Sequence, residues 1–295
     1  MDLPKKTGIS GFTIVRNAVK LDYPFRESVL SLLPICDELI INCGDSTDGT
    51  YELCQALAEQ AEGKIKVVQS VWDLQDTSGG NQLKFQTDTT MAYCRERWCF
   101  YLQADEVLHE KDYASILQAV AVADKREDVD GIVFDYRHFY GSCHYTISAR
   151  NWYRREVRAF KNHRGIAAFR DAQGFRKNGE RLKVLSANAR VFHYGYVRTR
   201  ESLRAKREEM SRWWGEDPAK KDQELHRLVG LRRFLGKHPK VMQDRIDGVP
   251  DDFDPRNYPR KWDRKEIKNL LTYAWEKIFR FRIGEFRNYE LLKQS

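Results

Sequence analysis

Seven small or acidic residues, GDSTDGT at 44–50, follow the apolar run ELII. A plain turn needs only one or two such residues. Carboxylates such as those of Asp45 and Asp48 accept hydrogen bonds from base N–H groups and sugar hydroxyls, so the run indicates a loop that holds a polar ligand. The alternative is an elaborate helix cap, in which the same side chains bond the first N–H groups of a following helix.

A second polar cluster, QADE at 103–106, follows the apolar run WCFYL, and a third segment, TIVRN at 13–17, leads out of another apolar run. In open α/β sheets, ligands bind outside the carboxyl ends of the strands. Taken alone, QADE is typical of an exposed strand end before a helix. Because all three clusters follow predicted strands, we expect them to meet at one edge of the sheet and to form a ligand site there.

Alternating patterns in the first half of the chain predict the elements that position these clusters. Short strands separated by helices of about 10–15 residues indicate βαβ units, and hence an α/β fold with a mainly parallel sheet flanked by helices. The pattern becomes strand-rich from about 150 to 195, and helical, basic and aromatic after about 200. Strands are predicted at 11–17, 37–42, 64–71, 98–107 and 131–141, with helical patterns between them.

The composition is that of a globular protein with an excess of positive charge. The 295 residues are 41% hydrophobic and carry a formal net charge of +8, which favours an anionic partner such as nucleic acid, an acidic membrane surface or a phosphorylated substrate. Neither a signal-peptide pattern nor a run of the ~18 apolar residues of a membrane span is present, so we expect a cytoplasmic protein. The six cysteines include no C-x-x-C pair and are expected to be reduced core thiols.

The polar clusters resemble two motifs of the family 2 glycosyltransferases, enzymes with the GT-A nucleotide-sugar fold. NCGDSTDGT is similar to the family's D-D-G-S-T-D-G-T segment, and FYLQADEVL is similar to its D-x-D segment. The resemblance extends from Gly11 to about Asp112, and more loosely through FHYGYVR (192–198) and LGKHPKVM (235–242).

This resemblance implies a GT-A (Rossmann-like) domain at 1–199 and a basic helical extension at 200–295. The domain would have a nucleotide-binding half at about 9–110 and an acceptor-side half at about 111–199. The implied activity is transfer of a sugar, of the hexosyltransferase type, from a nucleoside diphosphate sugar to a carbohydrate or lipid-linked acceptor. The reaction would be inverting and dependent on Mn²⁺ or Mg²⁺, and it would serve polysaccharide, lipopolysaccharide or other glycoconjugate synthesis.

The resemblance also assigns nucleotide contacts. Val15, Asn17 and Asp45 would hold the base and ribose, and Asp48 would contact the nucleotide or brace the loop. Where the family has Asp-Asp-Gly, this chain has Cys43-Gly44-Asp45, so the acid is displaced along the loop.

The family's D-x-D is Gln103-Ala104-Asp105 in this chain. Asp105 would keep the acid that binds the metal on the diphosphate, whereas Gln103 could bond sugar hydroxyls but supplies no charge. By the same resemblance His193 would complete the metal site, since oxygen and imidazole ligands with phosphate suit Mn²⁺ or Mg²⁺ better than zinc. A purely structural histidine is the alternative.

An inverting transfer also needs a general base for the acceptor hydroxyl. The candidate is Asp171 in FRDAQGF, which lies between the D-x-D-like segment and His193. The alternative is a turn residue before Gly174.

The segment RKWDRKEIKNLLTYAWEKIFRFR near the C-terminus predicts a basic amphipathic helix at 264–280. Such a helix either packs its apolar face against its own domain or lies on an anionic membrane, which would place the protein at the inner face of that membrane. The residues of this face are Ile267, Leu270, Leu271, Ala274, Trp275 and Ile278.

Two other functions fit parts of the sequence. A nucleotidyltransferase of similar fold would carry a glycine-rich basic loop after the first strand, which TIVRNAVKLDYP lacks. A nucleic-acid-binding protein would use the basic, aromatic tail, but it would leave the acidic clusters unexplained because they repel phosphate.

Overall fold

One mixed sheet with helices on both faces forms the frame of the molecule. The structure, a computed structural model, describes residues 8–217, 224–248, 253–285 and 287–293. The strands found there are β1 (Ile9–Val15), β2 (Glu38–Cys43), β3 (Ile65–Gln69), β4 (Trp98–Tyr101), β5 (Glu106–Leu108), β6 (Gly131–Tyr140), β7 (Ser142–Ile147), β8 (Arg155–Lys161), β9 (Ile166–Phe169), β10 (Gly174–Lys177), β11 (Glu180–Tyr196), β12 (Leu231–Arg233) and β13 (Tyr289–Leu291). The α-helices are α1 (Phe25–Leu32), α2 (Thr50–Gln60), α3 (Asn81–Met91), α4 (Tyr113–Asp124), α5 (Arg200–Trp213), α6 (Gln243–Gly248) and α7 (Arg264–Phe279).

The order of the first four strands creates a crevice. They run parallel in the order β3-β2-β1-β4. The chain moves outward from β1 to β3 and then returns to β4 on the other side of β1. The strands β1 and β4 therefore flank a topological switch point, where ligands bind outside the carboxyl ends of the strands. This half of the sheet confirms the predicted α/β class and the common edge of the three polar clusters.

The second half of the sheet is largely antiparallel, whereas a mainly parallel sheet was predicted. Strand β8 runs antiparallel to both β4 and β6, and β11 runs parallel to β6 but antiparallel to β5 and β10. Parallel neighbours need crossovers of a dozen or more residues. The turns that join β6 to β7 and β10 to β11 are too short for such crossovers, so these neighbours pair as antiparallel hairpins.

The strand predicted at 98–107 is two strands. Strand β4 ends at Tyr101, and β5 begins at Glu106 and pairs with β11 instead of continuing β4. A turn separates them, closed by the Glu106 N–H, which donates to the Gln103 carbonyl over 3.0 Å. The Glu106 side chain accepts from the Gln103 N–H over 3.1 Å. This break places Gln103 and Asp105 in a tight turn at the carboxyl end of β4.

Apolar cores lie on both faces of the sheet. Helices α1, α2 and α4 cover one face with side chains such as Phe25, Leu57 and Val120. The other face packs Phe12 and Phe160 beneath α3 and the β9–β10 hairpin. All six cysteine side chains are buried, as predicted for core thiols.

Helix α7 confirms the predicted helix at 264–280 but has the opposite orientation to a packed amphipathic helix. Its polar residues Glu266 and Asn269 are buried, whereas Leu271, Trp275 and Ile278 of the predicted apolar face are exposed. Packing of this face against its own domain is therefore contradicted. Among the described residues, none of the helices combines the length and apolar character that a membrane crossing needs.

Candidate functional site

A cavity of about 700 Å³ opens at the carboxyl ends of β1 and β4. Of the residues predicted for the site, Val15, Gln103, Asp105, Asp171 and His193 line it. The sheet topology thus brings together groups that are up to 178 residues apart in the chain, from Val15 to His193.

Asp105 is the acidic centre of this cavity. Its carboxylate is almost fully buried and accepts from the Lys206 ammonium over 2.8 Å, with Arg198 3.8 Å away. Burial acts to raise the pKa of Asp105, but the positive charges around it, chiefly Lys206, hold the pKa well below its usual range. Burial lowers the pKa of Lys206 to about 8. Asp105 is therefore an ionised carboxylate held among cations.

His193 faces the same carboxylate through a fixed ring nitrogen. Its Nε2 lies 3.7 Å from an Asp105 oxygen, and its Nδ1 lies 3.0 Å from Nδ1 of His138. The other nitrogen of His138 lies 2.7 Å from the Tyr153 carbonyl. A carbonyl only accepts, so His138 Nε2 carries the proton and its Nδ1 accepts from His193 Nδ1–H. Burial lowers the pKa of His193 to about 4 and that of His138 to about 3, so both rings are neutral. His193 Nε2 consequently presents a lone pair towards Asp105.

This pair fits a divalent cation of the kind the resemblance implies. A carboxylate oxygen and an unprotonated imidazole nitrogen face one another, and the second ring nitrogen of the histidine is oriented by a hydrogen bond, as is usual for metal ligands. Gly195 is required beside the pair, because a Cβ there would lie 2.7 Å from His193 Nε2 and 2.9 Å from an Asp105 oxygen. The Lys206 ammonium also donates to the Gly195 carbonyl over 3.1 Å, so a cation at the pair would share Asp105 with Lys206. The protein would supply only these two ligands, because the part of the chain that the structure describes has no group of three or more His, Cys, Asp or Glu side chains that could hold a metal ion.

The GDSTDGT loop is braced by the residues assigned to the nucleotide. Asn17 has a left-handed backbone (φ 52°), and its side-chain oxygen accepts from the Thr47 N–H over 3.0 Å. Asp48 accepts from the N–H groups of Lys20 and Thr50. These contacts match the bracing alternative for Asp48. Unlike Val15, the three predicted residues Asn17, Asp45 and Asp48 do not line the cavity.

Asp45 has a different environment in the same loop. One of its oxygens accepts from Arg16 Nε over 3.0 Å and from the backbone N–H of Trp72 over 3.2 Å. About a third of the Asp45 side chain is exposed. Gly44 is required beside it, because a Cβ there would lie 2.5 Å from Trp72 Nε1.

Helix α5 forms a wall of the cavity that the sequence did not predict. Besides Lys206, which bonds Asp105, the helix contributes Glu209, which forms an ion pair with Arg16 at the end of β1. Trp213 at its last residue packs against Trp72, with ring centroids 5.5 Å apart. The division of the chain at 199/200 stays a prediction, but residues on both sides of it line the cavity.

A buried ion pair fixes the two loops that carry Asp105 and Asp171. Arg158 on β8 donates two bonds of 2.8 Å to Glu106, and both side chains are fully buried. A third bond, also 2.8 Å, runs from Arg158 to the Gln173 carbonyl. The sequence showed both carboxylates but gave no indication of the arginine between their loops.

Comparisons with known proteins give remote, partial similarities. No protein-family model and no curated protein matches the chain. Among solved structures, the chain is similar to S. aureus TarS in complex with UDP (15% identity, 45% of this chain and 37% of that chain, TM-score 0.35). It is also similar to the mannosyltransferase PcManGT from Pyrobaculum calidifontis in complex with GDP-Man and Mn²⁺ (14% identity, 45% and 37%, TM-score 0.36). A further structure of S. aureus TarS shows 12% identity over 69% of this chain and 40% of that chain, with a TM-score of 0.39. The chain spans about two fifths of the length of these neighbours.

Proposed function

We propose that this protein is a glycosyltransferase of the GT-A type that moves a sugar from a nucleoside diphosphate sugar to an acceptor hydroxyl. The observation that supports this most is the pairing of ionised Asp105 with the unprotonated nitrogen of His193 at the switch point between β1 and β4. The cavity beside them joins the carboxyl ends of these strands to the loop that carries Asp171. Donor and acceptor would meet there.

Departure of a nucleoside diphosphate builds negative charge on its phosphates, which fixed positive charge stabilises. Asp105 and His193 would hold Mn²⁺ or Mg²⁺, which supplies Lewis-acid stabilisation of the leaving diphosphate when bound. Because the protein offers two ligands, phosphate oxygens and water would occupy the other positions. Lys206 and the adjacent Arg207 add positive charge from α5.

The nucleotide would lie along the carboxyl ends of β1 and β2. Its base and ribose would contact Val15 and the free side of Asp45, while Asn17 and Asp48 keep the loop in shape through the bonds described above. Gln103 lines the cavity next to Asp105 and would bond sugar hydroxyls.

Asp171 is proposed as the general base of an inverting, hexosyltransferase-type reaction. It lines the cavity in a loop whose neighbours Arg170 and Ala172 both have left-handed backbones, with φ of 56° and 59°. Gly80 packs against it so closely that a Cβ there would lie 2.7 Å from the Asp171 Cβ. The loop is thus held at the cavity, where its carboxylate would accept the proton of a carbohydrate or lipid-linked acceptor hydroxyl.

The proposal is tested by thermal unfolding with UDP, GDP or CDP in the presence of Mn²⁺. A nucleotide at a hundred times its Kd stabilises the native state by about 2.7 kcal/mol, which raises the Tm by several degrees. We expect one of the three nucleotides to give this shift, and Asp45→Ala to weaken it with or without metal. A shift with an oligonucleotide and with none of the nucleotides would instead favour a nucleic-acid-binding protein.

His193 and Asp171 have separate expected roles. His193→Ala should weaken Mn²⁺ affinity and lower turnover, with partial rescue by excess metal, because it removes a ligand.

Asp171→Asn should leave nucleotide and metal binding intact but lower turnover by roughly 10²–10⁴-fold, and added metal should not restore it. Metal titrations and initial rates on the two variants decide the assignments. Near wild-type turnover of Asp171→Asn would return Asp171 to a turn residue, and unchanged metal dependence of His193→Ala would make His193 structural.

A further inference from the structure

The outward face of α7 is an extended apolar surface. Leu271 is 67% exposed and Ile278 73%, and the aromatic residues Trp262, Phe279 and Phe281 beside them are each more than half exposed. Single exposed apolar side chains are ordinary, but a contiguous patch of this kind marks a surface that another body covers. The patch consists of Trp262, Ile267, Leu270, Leu271, Ala274, Trp275, Ile278, Phe279 and Phe281.

Polar contacts hold α7 with this face outward. Glu266 near its start accepts from the Val229 N–H and from the Asn269 side chain. Beyond its end, the buried Arg282 donates to the carbonyls of Ala149 and Trp152, each over 3.1 Å, and pairs with Glu276. The polar side of the helix is therefore committed to the protein at both ends, and the apolar side cannot turn inward without breaking these bonds.

The charges on α7 select the partner. The exposed charged residues within α7, and its C-cap Arg280, are all basic, whereas both acids of the helix are bound to the protein. The N-cap Asp263 is partly exposed and pairs with Lys261 over 3.7 Å. A second copy of the chain seated on this face would bring like charges together. An anionic lipid surface offers both an apolar layer and complementary charge, as basic amphipathic helices require. The exposed basic residues are Arg264, Lys265, Lys268, Lys277 and Arg280.

We propose that α7 docks the protein onto the surface of an anionic lipid bilayer. Lys265, in the first turn of α7, also lines the cavity that contains Asp105. Docking would hold the rim of the cavity at the bilayer surface, where an acceptor anchored in lipid presents its hydroxyl. The lipid-anchored acceptor rests on the proposed transferase activity, whereas the docking itself does not.

Co-sedimentation of the full chain with vesicles tests the docking. The vesicles are pure phosphatidylcholine or a mixture with 30% phosphatidylserine. We expect binding to the mixed vesicles, and a loss of about a hundredfold or more in partition coefficient for Leu271→Glu/Ile278→Glu, because two inserted apolar side chains are lost. The matched control is Phe85→Glu/Val122→Glu, which changes two exposed apolar residues on α3 and α4 and should bind like wild type. Lys268→Gln/Lys277→Gln should lower binding to the mixed vesicles by roughly 30-fold.

Three outcomes would overturn the docking. Equal sedimentation of wild type and Leu271→Glu/Ile278→Glu would exclude α7 as the contact, as would a lack of binding to both kinds of vesicle. A concentration-dependent dimer that this variant abolishes, without vesicle binding, would assign the face to a second copy. The nucleotide-induced Tm shift of the same variant should equal that of wild type. Vesicle binding without any such shift in either protein would leave the docking intact and refute the proposed function.

Discussion

Asp105→Ala is expected to lower turnover by about a thousandfold and to abolish the Mn²⁺-dependent part of nucleotide stabilisation. Asp105 is the carboxylate of the Asp105–His193 pair, so its removal takes away the charge that would hold the cation. Metal stabilisation of a leaving group is worth several kcal/mol, and each 1.36 kcal/mol corresponds to a factor of ten in rate. The measurements are initial rates of donor hydrolysis or transfer and melting curves with and without metal.

The control for this variant is Asp128→Ala, which removes an exposed carboxylate paired with Arg126 away from the cavity. It should behave like wild type in both assays. If Asp105→Ala keeps a full metal-dependent shift, the cation binds elsewhere and the role given to His193 fails with it.

Arg158→Met should lower the free energy of unfolding by about 3–5 kcal/mol. The substitution leaves Glu106 fully buried without its bidentate partner, and breaking a buried ion pair by removing one member has a cost of this size. It also removes the bond to the Gln173 carbonyl. Denaturant titration of the wild type and the variant at neutral pH measures this difference in the free energy of unfolding.

Strand β8 offers a matched control in Arg155→Met. Arg155 pairs with Asp135 over 2.6 Å, but both side chains are more than a third exposed, and such surface pairs contribute about 1 kcal/mol or less. A loss for Arg158→Met no larger than that for Arg155→Met would show that the pair with Glu106 does not stabilise the fold. The double change Glu106→Leu/Arg158→Met should recover much of the loss, because no unpaired charge remains.

The parts of the fold that follow local patterns could be predicted. Strands β1 to β3 lie within two residues of their predicted bounds, and helices separate the strands of the first half as predicted, because strand and helix periodicities are local properties of the sequence. The same alternation predicted that the loops with Asp45 and Asp105 share an edge. The break between β4 and β5 could not be predicted, since it depends on β5 pairing with a strand more than 80 residues later.

The missed parts of the site have the same cause. Lys206 lies in RAKREEM, a sequence typical of a solvated helix, and nothing local indicates that its ammonium group meets a carboxylate 101 residues earlier. His138 belongs to no recognisable motif. It orients the ring of His193 because the two residues are partners in the parallel pairing of β6 with β11. In α7 the spacing of the apolar residues predicts an amphipathic helix, but spacing alone does not determine which side of the helix faces the protein.

The anchoring of α7 at both ends has a geometric consequence. A contact helix on a flexible linker lets a protein tumble above a bilayer and sample many distances. Glu266 and Arg282 instead tie α7 to the body of the molecule on either side, and the Trp152 carbonyl that Arg282 holds belongs to a residue lining the cavity. A bilayer seated on this helix would meet the cavity at one height and one tilt. The mouth would then accept only those hydroxyls that stand at a matching distance above the lipid headgroups.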